Sequence, residues 1–157
     1  MCKQYGADEV INYGGYDLTD RDQVKQFRSE IAKATGGKGP DVIYDPVGGT
    51  YSEPCLRSIA WEGRYLVIGF AAGADQIPKM PLNLTLLKGC QIVGVFWGAW
   101  VGMHPEENKK NFEELFKLHS EGKINPEVSD SFTLDDGALA IAHLKDRKAK
   151  GKVIIEI

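Results

Sequence analysis

Short apolar runs alternate with amphipathic segments along most of this chain. The runs are rich in β-branched and aromatic residues and nearly continuous in hydrophobicity, which is typical of strands buried on both faces. Four such strands are predicted, at Glu9–Tyr13, Asp41–Val47, Arg64–Phe70 and Gln91–Trp97. Because a helical segment separates each pair, the pattern predicts an α/β fold with a parallel sheet and helices on both faces.

The helices are predicted from apolar residues that recur at spacings of three and four. The first has Thr19 or Asp20 as its N-cap and Gly36-Gly37 as its stop. The predicted helices are Asp20–Ala34, Thr50–Ala60 with Pro54 in its first turn, Leu82–Gly89, Pro105–Glu121 with Phe112, Leu115 and Phe116 facing inward, and Asp135–Asp146. A terminal strand, Lys152–Ile157, need not belong to the same sheet.

Composition excludes several classes of protein. The chain has 157 residues, about one domain, and a net charge of −3 gives no basic face for nucleic acid. No apolar stretch is long enough to span a membrane, and no signal peptide is visible. The three cysteines, far apart, fit neither a disulfide framework nor a metal site. We therefore expect a cytoplasmic protein, or a mitochondrial one if a targeting segment lies upstream.

Glycines follow the predicted strands, at the edge where parallel sheets bind ligands. The segments at these strand ends are Tyr13–Gly15, Asp45–Gly49, Gly69–Gly73 and Phe96–Gly98. Glycine permits positive φ and lets the backbone approach a ligand closely. One interpretation is a set of tight strand-to-helix turns, and the other is a cleft for a nucleotide or cofactor.

Other candidates for chemistry are weaker. His104, His119 and His143 have no paired carboxylate or nucleophile at a diagnostic spacing, so no catalytic residue is predicted. Asp45 could be an acid or base, although an aspartate there more often caps the next turn. The basic run Lys145–Lys152 is either a solvated helix end or an anion site, with Arg147 as its best phosphate ligand.

Several motifs, taken in order, resemble a known family. They are "GADEVINY", "GGKGPDVIYDPVGG", "GRYLVIGFAAG", "LNLTLLKG", "IVGVFWG" and "RKAKGKVIIEI". Together they resemble the C-terminal half of the zinc-independent medium-chain dehydrogenase/reductases, in the quinone oxidoreductase, zeta-crystallin-like branch. The resemblance implies a Rossmann domain that binds NADPH, a GroES-like catalytic domain, and hydride transfer to a quinone or activated alkene without a metal. It also implies a homodimer formed through the strand Gln91–Trp97.

The resemblance further implies which positions contact NADPH. Tyr13 and Arg147 match contacts near the adenosine ribose and its 2′-phosphate, and Val47 and Gly48 match a turn along the cofactor. The positions that match the nicotinamide side are Gly69, Phe70, Ala71, Ala72, Phe96, Trp97 and Gly98.

Two parts of the family pattern are not found in this sequence. One is the glycine-rich pyrophosphate loop, and the other is the GroES-like domain. We therefore interpret residues 1–128 as a nucleotide-binding domain without its first βαβ unit. Residues 129–157 are interpreted as a return segment whose helix and strand would pack on the GroES-like domain. Two alternatives are a non-catalytic truncated form that dimerises through its sheet and a different Rossmann-like enzyme such as a methyltransferase. The latter explains the strand-end glycines but not the ordered motifs.

Overall fold

The computed structural model describes all 157 residues, which form two compact units, Met1–Trp97 and Gly98–Ile157. Both units mix helices with parallel strands. The predicted class, a partial Rossmann-type α/β domain, is confirmed. The functional division predicted at residue 128 stays a prediction.

The first unit is built on a three-stranded parallel sheet in the order β1 (Val42–Asp45), β2 (Arg64–Val67) and β3 (Gln91–Gly94). In register, Val42 faces Arg64, which faces Gln91. The helices are α1 Arg21–Ala34, α2 Ser52–Ser58 and α3 Asn83–Lys88. Every strand is shorter than predicted and ends before its glycine-containing turn.

Helix α1 begins and ends as its sequence predicts. The Asp20 carboxylate accepts hydrogen bonds of 2.9 Å from the amides of Asp22 and Gln23, which identifies Asp20 rather than Thr19 as the N-cap. At the other end the amide of Gly37 donates to the Ala32 carbonyl at 2.7 Å. This bond satisfies a carbonyl that the end of the helix would otherwise leave free.

The core lies on one face of this sheet. Its buried side chains are Leu56, Ile59, Tyr65 and Leu84, with Ile43, Val67 and Ile92 packed against them. Pro54 falls in the first turn of α2, as predicted. On the opposite face Val42 and Tyr44 are 54% and 67% exposed, so the helices of this unit cover one face rather than two.

Two strand predictions are wrong in extent. Glu9–Tyr13 forms no strand, because no other segment pairs with it and an extended segment needs a hydrogen-bonded neighbour. The strand predicted to reach Trp97 stops at Gly94, opposite the last residue of β2, Val67. A helix that the pattern did not predict, α4, then covers Trp97–Met103.

The second unit carries its own small sheet. Its remaining elements are α5 Pro105–Ser120, β4 Val128–Thr133, α6 Gly137–Lys145 and β5 Lys152–Glu156. Strand β5 pairs in parallel with β4, which confirms that the terminal strand need not join the first sheet. Helix α6 packs on this pair and buries Ala140. None of the helices in the chain combines the length and apolar composition needed to cross a bilayer.

The prediction that α5 turns its apolar side chains inward is wrong. Phe112, Leu115 and Phe116 are 42%, 48% and 68% exposed. Within this unit α6 packs on the β4–β5 pair and leaves these side chains uncovered. The helical period therefore predicted the apolar face correctly but not whether another element covers it.

Candidate functional site

The turn after β1 is organised around the Asp45 carboxylate. Its Oδ1 accepts hydrogen bonds from the amides of Val47 and Gly48, both at 2.9 Å. Its Oδ2 accepts from the Ser52 hydroxyl at 3.0 Å and from the Tyr65 hydroxyl. Asp45 therefore caps the turn and also ties it to α2 and β2. This geometry favours the capping interpretation over an acid or base.

The electrostatics of this cluster support a structural role. Burial acts to raise the pKa of Asp45, but hydrogen bonds from the Gly48 amide, the Tyr65 hydroxyl and the Val47 amide outweigh it, and the pKa is lowered. Burial, together with the Asp45 carboxylate, raises the pKa of Tyr65 well above its usual range. Burial also raises the pKa of Cys55 to about 12. At neutral pH the carboxylate is ionised, and neither the phenol nor the thiol is a ready proton donor.

The turns after β1 and β2 are bonded to each other. The amide of Ala71 donates to the Pro46 carbonyl at 3.1 Å, and the amide of Ala72 donates to the Val47 carbonyl at 2.9 Å. The amide of Ile68 donates to the Asp45 carbonyl at 3.0 Å. We call the pair of turns, Asp45–Gly49 and Gly69–Gly73, the glycine corner. The glycine corner is one hydrogen-bonded structure at the carboxyl edge of the sheet.

Gly48 shows why the glycine corner needs glycine. Its φ of +71° and ψ of −145° belong to a region that side-chain-bearing residues rarely adopt. A Cβ added to Gly48 would lie 2.9 Å from Cδ1 of the Phe70 ring. Gly48 is buried, so its backbone packs against Phe70 instead of lying open. Its glycine is explained by the turn and by the contact between the two loops.

Tyr13 lies beside the glycine corner, although it is not on a strand. Its ring packs edge-on against Tyr51, with centroids 4.9 Å apart, and Tyr51 also contacts the buried Phe27 at 6.4 Å. Tyr13 remains 48% exposed. An aromatic surface is thus placed next to the start of α2, where the glycine corner leads into the helix.

The structure brings most of the predicted site residues to one edge. Val95 donates to the Val67 carbonyl at 2.9 Å, so the chain leaves β3 beside the end of β2. Phe96 and Trp97 follow, with exposed fractions of 80% and 57%. The predicted residues at this edge are Tyr13, Val47, Gly48, Gly69, Phe70, Ala71, Ala72, Phe96 and Trp97. Gly98 and Arg147 belong to the second unit, where exposed Arg147 follows α6 with a φ of +56°.

Sequence reasoning missed Ser52 and Tyr65. Tyr65 pairs in register with Ile43, and Asp45 lies two residues further along β1 on the same face. Because side chains alternate along a strand, that spacing was a signal that Asp45 and Tyr65 could meet across neighbouring strands. Beside them is a small cavity of about 110 Å³ that Phe70 and Met80 help to line.

A family model described as zinc-binding dehydrogenase matches residues 5–155. The chain belongs to this family. The predicted resemblance to its quinone oxidoreductase-like members is confirmed by similarity to curated relatives. A quinone oxidoreductase-like protein 2 homolog of Nematostella vectensis is 34% identical over 156 residues, which are 99% of this chain and 40% of that protein. Quinone oxidoreductase-like protein 2 of Bos taurus is 32% identical over 100% of this chain and 42% of its own length. The chain thus spans about two fifths of the curated relatives it matches.

Solved structures agree with the fold. A mycobacterial protein whose native structure is complexed with NADPH superposes with a TM-score of 0.79 at 26% identity, covering 99% of this chain and 45% of that one. The similarity supports a Rossmann-type cofactor domain.

The residues present do not fit the zinc that the family description names. No group of three or more histidine, cysteine, aspartate or glutamate side chains is placed to hold a metal. Zinc in proteins is held by three or four such side chains at short range, and these residues bring no such group together. We therefore derive no metal chemistry for this chain.

Proposed function

We propose that this chain is the cofactor-binding part of an NADPH-dependent oxidoreductase that transfers hydride to a quinone or an activated alkene. The observation that carries the proposal is the glycine corner at the carboxyl edge of a parallel sheet, in a chain of this family. The mycobacterial neighbour complexed with NADPH supports the choice of cofactor. We further propose a cytoplasmic location, or a mitochondrial one if a targeting segment lies upstream, with no membrane or nucleic-acid partner.

The glycine corner would hold the cofactor by shape rather than by hydrogen bonds. The amides of Val47 and Gly48 already donate to Asp45, and those of Ala71 and Ala72 donate to carbonyls of the facing turn. These four amides are therefore not free to donate to a phosphate, and the exposed side chains of the corner would contact the cofactor by van der Waals packing. Charge recognition must then come from elsewhere, and Arg147 is the residue that we propose for the 2′-phosphate.

Exposed aromatic rings suit the flat parts of a dinucleotide. Phe70, Phe96 and Trp97 are 42%, 80% and 57% exposed, and Phe96 and Trp97 follow the strand that neighbours β2. When bound, the cofactor supplies a hydride, so a quinone that also takes one proton from solvent becomes a hydroquinone. The chain contributes orientation. Asp45, Tyr65 and Cys55 are structural, and we assign no proton donor among its residues.

Calorimetric titration tests this proposal. We expect NADPH to bind with a Kd in the micromolar range and NADH to bind more weakly. Replacing Arg147 with glutamine should weaken NADPH binding about tenfold, as expected for one charge-assisted hydrogen bond, and leave NADH binding unchanged. Lys150→Gln in the same basic run is the matched control. No detectable NADPH binding, or an equal effect of both variants, would overturn the assignment.

A second candidate function is a non-catalytic form that dimerises through the sheet. The observation that favours it is that β3 pairs only with β2, so its other edge is unpaired. Val95 and Phe96, directly after β3, are 37% and 80% exposed. An unpaired strand edge with apolar neighbours favours pairing with a second copy. We propose that two copies associate through Gln91–Trp97.

Light scattering tests the dimer. We expect a mass of two chains for the wild type and of one chain for Val95→Lys, because a lysine on the edge opposes strand pairing. Val42→Lys, on the strand at the other edge of the sheet, is the control and should remain dimeric. A monomeric wild type, or loss of the dimer only with Val42→Lys, would contradict pairing through β3.

A further inference from the structure

A cavity lies within the first unit and meets the glycine corner only at Gly49. Its volume is about 760 Å³, within the range of small-molecule sites. Its walls come from α1 and the segment before it, from Gly49 and Thr50 in the turn after β1, from α2 and from the loop Gln76–Lys79. None of the residues predicted to contact NADPH lines it. The cavity is therefore not accounted for by the proposed function.

The cavity is strongly cationic in a chain whose net charge is −3. Its single lining carboxylate, Glu53, is already engaged, because Arg57 donates to Oε1 from Nε at 2.8 Å and from Nη2 at 2.6 Å. The lining cations are Arg21, Lys25, Arg28, Arg57 and Lys79. Positive charge concentrated on a concave surface favours an anionic ligand.

Several of these cations lack an ion-pair partner. The Arg28 Nε is buried without a hydrogen-bond partner, and its Nη2 donates only a long 3.4 Å bond to the Arg57 carbonyl. A buried donor without an acceptor is costly, and its presence shows that no protein acceptor neutralises this guanidinium at Nε. Arg21 and Lys79 make no ion pair either, whereas Lys25 pairs with Asp22 at 2.7 Å. Three cations thus remain available to a ligand.

Five apolar side chains form another part of the wall, beside Thr19, Thr50 and Gln76. Leu18 and Val24 lie on the α1 side, Pro54 on α2, and Ile77 and Pro78 on the loop. An inorganic anion alone would leave these apolar side chains uncovered. A planar guanidinium group can donate two parallel hydrogen bonds to the oxygens of a phosphate. Phosphate is therefore favoured as the anionic end of the ligand.

We propose that this cavity binds a small phosphomonoester whose apolar or aromatic part packs on Leu18, Val24 and Ile77 while Arg21, Arg28 and Lys79 hold the phosphate. The ligand is distinct from the dinucleotide of the proposed function and would bind whether or not NADPH is present. Arg28 contributes a guanidinium group that no carboxylate of the chain neutralises.

Titration of the intact chain with phenyl phosphate tests the proposal. We expect saturable binding that is tighter than that of inorganic phosphate, weakens as salt is raised, and persists when NADPH is added at saturating concentration. Arg28→Gln should weaken it about tenfold. Because Arg28 is partly buried, Arg21→Gln and Lys79→Gln, on exposed side chains, give independent variants with the same expected direction.

Lys33→Gln is the matched control, since Lys33 lies in the last turn of α1 and does not line the cavity. The proposal is overturned by absence of saturable binding, by binding that the cavity variants leave unchanged, or by displacement of phenyl phosphate by NADPH. The last result would show that both ligands occupy one dinucleotide site. Loss of NADPH binding with phenyl phosphate binding intact would remove only the proposed function.

Discussion

Replacing Asp45 with alanine is expected to lower the free energy of unfolding by about 3 kcal/mol or more. Its carboxylate accepts from two amides and two hydroxyls, and the substitution leaves these donors without their acceptor inside or beside the core. The bonds that Asp45 makes hold β1, β2 and the start of α2 together. Urea denaturation followed by circular dichroism measures the change.

Two variants that each remove one hydrogen bond test whether Asp45 stabilises the fold through its hydrogen bonds rather than through burial of its side chain. Ser52→Ala and Tyr65→Phe each remove one hydrogen bond to Asp45 and should each lower the free energy of unfolding by about 1 kcal/mol.

The pKa of Asp45 is lowered in the folded protein, so its stabilisation is present above the unfolded-state pKa and is lost as pH falls through the folded pKa. The difference between wild type and Asp45→Ala should therefore shrink in acid. A difference that grows in acid would contradict an ionised Asp45.

Gly48→Ala is expected to destabilise the fold by about 2–4 kcal/mol. The backbone of Gly48 has a φ of +71°, and the new Cβ would come 2.9 Å from the Phe70 ring. To admit the methyl group, Phe70 must move and separate the two turns of the glycine corner. Thermal unfolding measures the change in stability. Titration with NADPH measures binding at the proposed site, and we expect this binding to be lost.

Gly36→Ala is the matched control for this variant. Gly36 also has a positive φ, +60°, but an added Cβ would meet nothing within 4 Å. It measures the cost of a positive φ without a steric contact, about 1 kcal/mol. The excess cost of Gly48→Ala reports the contact with Phe70 together with the rarer backbone conformation of Gly48, whose ψ is −145°. Equal destabilisation by both variants would show that the two turns do not need this close approach.

The sequence was sufficient for the elements whose stability is local. Helix α1 has its cap, its apolar period and its stop within one segment, and all were predicted. The parallel strands were predicted because Val42, Ile43 and Tyr65, for example, belong to continuous apolar runs. The strand ends could not be predicted, since a strand stops where its neighbour stops, as β3 does opposite Val67.

Errors arose wherever burial depends on a distant partner. Glu9–Tyr13 has the composition of a strand but no neighbour to pair with, and Phe112 has the position of a core residue but no cover. At the candidate site the family resemblance placed residues at the sheet edge. It could not show that Gly48 is buried under Phe70 or that Asp45 bonds Tyr65, because both contacts join segments twenty residues or so apart.

The most direct test of a dinucleotide site at the glycine corner is an amide NMR titration of the ¹⁵N-labelled chain with NADPH. Shift changes are expected at Gly48, Gly69, Ala71 and Ala72 and at Phe96, with none at Arg21 or Lys79 in the cationic cavity. NADH should perturb the same corner amides but not Arg147. Saturating NADPH that leaves the corner amides unmoved, or moves only those of the cavity, would contradict the site.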